Sequence, residues 1–214
     1  MMCAINGIIG DNTKALSILQ EKTKHRGPDA SGTFVNEGVG LGHNRLSIID
    51  PSERSHQPFK SSDGRYVLTF NGEIYNYKEL RTQLSDYKFV TDSDTEVLLA
   101  LLIKRGAEAL TELKGIFAFA FFDTKSGSLL LARDQMGVKP LYYAHDEVSL
   151  HFSSEQQALI AATNYKTVSR SALTKYMSLN YVPGPETLIG GINALEPGCY
   201  LTYDKSTRAI NHGV

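Results

Sequence analysis

The chain opens Met1-Met2-Cys3-Ala4-Ile5-Asn6-Gly7-Ile8-Ile9-Gly10. Ile5 to Ile9 is a short apolar run closed by a glycine, which predicts a buried strand. The stretch has no basic lead-in and is too short for a secretory signal. It therefore reads as a strand that begins almost at the terminus, with a cysteine just before it.

Downstream, Asp11 or Asn12 can cap a helix through Leu16, Ile18 and Leu19 to about Lys24. His25-Arg26-Gly27-Pro28-Asp29 breaks that helix. Short strands are expected around 32–36, 39–44 and 66–71. Asn76 with Glu79 three residues later resembles a capping box, opening a helix through Leu80 and Leu84. A second helix spans about 95–104. It is apolar over much of its surface (Val97, Leu98, Leu99, Leu101, Leu102, Ile103), which predicts that it is packed between other layers. Strand pairs are expected at 116–123 with 128–133 and at 141–144 with 149–153. From Glu155 the pattern turns helical and polar until Tyr181-Val182-Pro183-Gly184-Pro185 ends it, and 200–203 reads as a last strand. Strands with helices grouped between them favour α+β over alternating β-α units.

The composition is that of an ordinary globular chain: 214 residues, 42% hydrophobic, 21% charged. That length suits one sizeable domain with a short extension. A formal net charge of −1 gives no footprint for nucleic acid or an anionic membrane. No apolar run reaches the ~18–20 residues of a membrane span. Cys3 and Cys199 are the two cysteines, too few for a disulfide framework and without a zinc spacing. A reducing, cytoplasmic setting is expected.

Three segments interrupt the apolar strands with polar and glycine residues: Gly42-His43-Asn44-Arg45-Leu46-Ser47-Ile48-Ile49-Asp50, Asn71-Gly72-Glu73-Ile74-Tyr75-Asn76 and Thr91-Asp92-Ser93-Asp94-Thr95-Glu96. Each falls at a strand end or helix start, where sites are commonly built. With Cys3-Ala4-Ile5, His25 to Asp29, Ser31-Gly32, Gly115 to Ala120 and Arg133 to Tyr143, they resemble the class II glutamine amidotransferases, which use an N-terminal nucleophile. The likeness is greatest to the glutaminase half of asparagine synthetases. It runs through nearly the whole chain in order.

The resemblance implies a four-layer αββα sandwich and glutamine hydrolysis by Cys3. A thiol of ordinary pKa ~8.5 is only a few per cent ionised at neutral pH. When Cys3 is the first residue, its own α-amine can serve as the base. Asn71 through its side chain and Gly72 through its backbone would hold the oxyanion. An Asn-Gly pair on its own is the signature of a hairpin turn; the residues that follow favour the site. Arg45 suits the α-carboxylate of glutamine, and Asp94 its α-ammonium, with an N-cap role open to Asp94 as well. Leu46, Ser47, Ile48, Ile49 and Glu73 would line the same pocket. Arg133 and Asp134 read as structural, an ion pair beneath the site. His25, His43 and His56 show no metal spacing, and Cys199 reads as a buried thiol in a strand.

The resemblance divides the chain into an amidotransferase domain at 1–165 and, at 166–214, a hinge leading to an ATP-dependent synthetase domain. Neither a Ser-Gly-Gly-x-Asp-Ser phosphate loop nor a Gly-x-x-x-x-Gly-Lys occurs, so the chain is expected to be a fragment. No cofactor is expected within it; ATP and Mg are expected in that following domain. The expected partners are glutamine and the synthetase domain, and pairing of two copies is compatible with the likeness. Met2 after Met1 leaves the Cys3 nitrogen as an amide, so the chain as written is expected to be inactive until both are lost. The other readings are amidation of a different carboxylate, such as a sugar acid, a non-catalytic binding relative, and an amidase for acylated amines.

Overall fold

The computed structural model describes residues 3–10, 14–46 and 56–214. In chain order it runs β1 (Ala4–Ile9), α1 (Ala15–Thr23), β2 (Ala30–Asn36), β3 (Val39–Arg45), β4 (Phe59–Lys60), β5 (Tyr66–Ile74), α2 (Tyr77–Thr82), α3 (Asp94–Arg105), β6 (Gly115–Asp123), β7 (Ser128–Arg133), β8 (Tyr142–His145), β9 (Leu150–Ser153), α4 (Gln156–Ala162), α5 (Arg170–Leu179), β10 (Ile192–Ala194), β11 (Tyr200–Asp204) and β12 (Ile210–Gly213).

The strands form two antiparallel sheets, ordered β10-β8-β9-β1-β3-β2 and β12-β11-β7-β6-β5-β4. The opening strand β1 lies inside the first, between β9 and β3, and all six of its residues are buried. Its side chains alternate between two cores. Ile5 and Ile9 enter the layer between the sheets, whereas Ile8 packs under Ala15 and Leu16 of α1. Burial on both faces explains why the sequence reads as a continuous apolar run rather than an alternation.

The same division repeats across the molecule. Val39, Leu41, Val67, Ala118, Ala120, Leu129 and Leu131 fill the space between the sheets. Leu68, Phe70, Phe117, Phe119 and Leu130 face outward against α2 and α3. Leu19 of α1 with Ala158 and Leu159 of α4 covers the other sheet. These are the four αββα layers, and each fully buried Leu or Ile contributes about 1.5–3 kcal/mol to holding them. In α3 every residue from Asp94 to Leu102 is buried, as its apolar circumference predicts.

Several local expectations are corrected. Asn76 occupies the N-cap of α2 but makes no cap bond; its amide instead ties the 112–114 loop, donating to Glu112 O at 2.9 Å and accepting from Lys114 N at 3.0 Å. Arg133 and Asp134 do not pair. Arg133 donates to the carbonyls of Gly137, Lys139 and Leu195. Asp134, fully buried, accepts from the backbone N–H groups of Phe117, Met136, Val138 and Lys139. A buried charge is affordable when it collects that many donors, and the two side chains together fix the loop that carries Lys139. Cys199 is only partly buried and precedes β11 rather than lying in it. The polar helical stretch after Glu155 divides into α4 and α5, and β10 to β12 extend both sheets. The expected caps Asp11 and Asn12 lie outside the described residues.

Candidate active site

Register assigns the site. Ile5 pairs with His43 and Ala4 with Asn44, so the next pairing along β1 and β3 sets Cys3 against Arg45. Side chains alternate with period two. Val39, Leu41, His43 and Arg45 therefore share the face that looks between the sheets. On β5 the inward positions are Val67, Thr69, Asn71 and Glu73, and β5 faces β1 across the gap. Cys3, Arg45 and Asn71 thus converge at one end of the inter-sheet layer.

The Cys3 thiol is held by the backbone of Leu46, whose N–H donates to Sγ at 3.4 Å and whose carbonyl lies 3.7 Å away. Arg26 donates through Nε to the Cys3 carbonyl at 3.2 Å and through Nη1 to Glu155 at 3.1 Å. The break before β2 presses onto β3 so closely that a Cβ at Gly27 would meet the Asn44 carbonyl at 2.3 Å. Burial pushes the Cys3 thiol up, against the pull of the Leu46 N–H and the positive charges of Arg45 and Lys139. The thiol is therefore neutral at pH 7, and attack requires a base to take its proton.

Asn71 and Gly72 do not form a turn. They lie within β5, paired with Ala118 and Phe117. A side chain at Gly72 is excluded, since a Cβ would meet Ile116 O at 2.3 Å. The backbone of β5 alternates between β6 and an edge that, among the described residues, has no strand partner after Leu68. Phe117 of β6 spends its own N–H and carbonyl on Asp134, so Gly72 turns its N–H to the open edge. Its neighbours there are tied down: Phe70 N–H donates to Gln57 Oε1 at 2.5 Å and Ile74 N–H to Asp94 Oδ2 at 3.0 Å. The Asn71 side-chain Nδ2 is buried and, among the described residues, has no hydrogen-bond partner. The same holds for Thr69 Oγ1 and for Arg26 Nη2. A buried donor left open costs about 1–3 kcal/mol, which points to an acceptor arriving from outside.

Asp94 begins α3, and the cap is Ser93, whose side chain accepts from Glu96 N at 3.3 Å. The N-cap role considered for Asp94 is thereby corrected. Burial and the neighbouring Glu73 charge push its carboxyl up, while the Ile74 and Thr95 N–H groups resist. An incoming ammonium would favour the ionised form. Arg45 is buried, Leu46 sits on the thiol and Glu73 is exposed beside Asp94. Ser47, Ile48 and Ile49 lie outside the described residues. His25 pairs with Glu155 at 2.9 Å, and His56 is exposed. Two cations near Cys3, Arg26 at its carbonyl and Lys139 acting on its thiol, were not singled out from sequence; their signal was a cation inside an otherwise unexplained motif.

The family profile described as "glutamine amidotransferase domain" matches residues 2–212. The chain belongs to the glutamine amidotransferase domain family. It is 41% identical over 211 residues to asparagine synthetase [glutamine-hydrolyzing] 1 of Bacillus subtilis, covering 94% of this chain and 33% of that protein. It is 41% identical over 167 residues to asparagine synthetase B of Escherichia coli, covering 74% of this chain and 30% of that one. This amidotransferase chain thus spans about a third of the length of these relatives. Among solved structures, the glutamine phosphoribosylpyrophosphate amidotransferase of B. subtilis superposes with a TM-score of 0.72 at 21% identity, covering 99% of this chain and 49% of that one. That match supports the αββα sandwich as the fold. Among the described residues no helix is long and apolar enough to cross a membrane.

Proposed function

We propose that this domain hydrolyses glutamine to glutamate and ammonia, with Cys3 as nucleophile once its α-amine is free. The amine takes the thiol proton, and Sγ bonds to the side-chain amide carbon of glutamine. The oxyanion is received by Asn71 Nδ2–H and Gly72 N–H. The carbon–nitrogen bond breaks, the amine's proton leaves with ammonia, and water cleaves the thioester to glutamate. Arg45 binds the α-carboxylate and Asp94 the α-ammonium. The observation that carries this reading is the unpartnered, buried Asn71 Nδ2 on the face that meets Cys3. A donor of this kind is worth ~2.7–4 kcal/mol at the transition state.

The ammonia is proposed to serve asparagine synthesis in a following domain, which is where ATP and Mg enter the proposal. The names and greater lengths of the relatives support it. The proposal includes a cytoplasmic setting and residues 166–214 as the lead toward that domain, with β10 to β12 of that stretch contributing to the sheets.

The test compares a chain beginning at Cys3 with one that retains Met1 and Met2, each verified by intact mass. The first is expected to release glutamate and ammonia. The second is expected to be slower by ~10²–10⁴, the usual worth of a positioned base. Equal rates would remove the amine from the mechanism, and no glutamate from the first would remove the glutaminase.

A further inference from the structure

His43 lies on β3 between the apolar positions Val39 and Leu41 and the polar position Arg45. It is 1% exposed. Its Nε2 lies 3.1 Å from the carbonyl oxygen of Phe70, across the gap between the two sheets. A carbonyl only accepts, so Nε2 carries the hydrogen. The bond falls on the side of β5 away from β6, where β4 pairs with Val67 and Leu68 and goes no further. Phe70 therefore turns both backbone groups to an edge with no strand partner among the described residues, and two side chains meet them there: Gln57 takes the N–H and His43 the carbonyl. The next two residues are Asn71 and Gly72. A donor pair aimed at an oxyanion must be held to a few tenths of an ångström, and among the described residues β5 has its ladder here on the β6 side alone.

We propose that His43 is a positioning residue for the oxyanion site, its Nε2–H fixing Asn71 and Gly72 opposite Cys3 through the carbonyl of Phe70. This rests on the reading of Asn71 and Gly72 as the oxyanion donors. Fixing Phe70 constrains the peptide that leads into Asn71, so it sets the angle of the Asn71 side chain and the position of the Gly72 N–H. The substrate clamp is held by other contacts, because Arg45 is placed by the pairing of β3 with β2 and Asp94 is anchored on Ile74 and the start of α3. Loss of the His43 bond should therefore weaken transition-state stabilisation and leave ground-state binding of glutamine nearly as it was.

The experiment uses the chain beginning at Cys3, with H43L, H43Q and N71A singly and H43L combined with N71A. Glutamate release gives kcat and KM, and thermal unfolding verifies the fold. In H43Q the amide Nε2 sits the same number of bonds from the backbone as the imidazole Nε2, so it can restore the donor. H43L is expected to lower kcat about tenfold with KM within about twofold, and H43Q to remain within about threefold of the parent. On the N71A background, H43L should add no more than about threefold, since the share acting through Asn71 is already lost and only that through Gly72 is left. If H43L does not fold, H43N takes its place, because its amide ends one bond short of Phe70. The proposal is overturned by a kcat within twofold of the parent, by a KM that rises in step with the loss, or by a full tenfold loss persisting in N71A. A parent that releases no glutamate, or an N71A variant as fast as the parent, would instead sink the underlying reading of the site.

Discussion

The two ends of the inter-sheet layer are built by the same strands and behave oppositely. At one end β3 contributes Val39 and Leu41 and β5 contributes Val67, meeting Phe122, Leu129 and Leu131 in a purely apolar core. At the other, two positions further along the same faces, β3 contributes His43 and Arg45 and β5 contributes Thr69 and Asn71. These residues are just as buried, yet Thr69 Oγ1 and Asn71 Nδ2 have no partner among the described residues. Period-two alternation fixes which residues face inward and says nothing about what they do there. One end supplies stability and the other holds polar groups open, at a cost that the first end offsets.

The sharpest way to break this contrast is Asn71→Ala. It should lower kcat by ~10²–10³ with little change in KM, the penalty for losing an oxyanion donor. Stability to denaturant should move by less than about 1 kcal/mol, because Nδ2 has no bond to lose among the described residues. A variant that keeps its rate, or unfolds several kcal/mol more easily, would make Asn71 a structural residue like those at the apolar end.

Leu131→Ala tests the opposite end. Leu131 is fully buried between the sheets, and its truncation should cost about 2–4 kcal/mol in chemical denaturation. The folded fraction should hydrolyse glutamine with kcat and KM near the parent's. A loss of kcat in fully folded protein would mean that the two ends are coupled more tightly than the division of labour allows.

Much of this was legible in the sequence, and the remainder was hidden for a physical reason. The buried strand at Ile5 to Ile9, the apolar circumference of α3 and the hairpin at β6 and β7 follow from local pattern alone. Cys3, Arg45, Asn71 and Asp94 were visible through motifs, and register brings the first three to one end of the layer. Roles that depend on strand order were not visible. Asn71-Gly72 taken alone has the signature of a turn, and only the pairing with β6 places it inside a strand. Asp134 reads as half of an ion pair until four backbone N–H groups are found around it. His43 reads as an isolated histidine until its ring is found against the carbonyl of Phe70. In each case the partner is a backbone group, and backbone groups leave no mark in the alphabet of side chains.

His43 also gives the comparison its smallest and most specific test. Burial lowers its pKa from 6.5 to about 4, and the positive charges of Arg45 and His56 act in the same direction; its bond to Phe70 opposes them. In the unfolded chain the imidazole takes a proton near pH 6.5, whereas in the folded protein it does so only near pH 4. Between those values the unfolded state binds more protons, so unfolding becomes easier as pH falls. The loss should near completion around pH 4, reach about 3 kcal/mol, and flatten below. H43Q, with no group titrating there, should lose that part of the slope while other acid-sensitive groups keep theirs. Leu131→Ala should shift the whole curve down without changing its shape between pH 4 and 6.5. Parallel curves for H43Q and the parent would show that the polar end carries no buried, neutral imidazole. The strut between β3 and β5 would then need a charged donor, and Arg45 beside it would repel that charge.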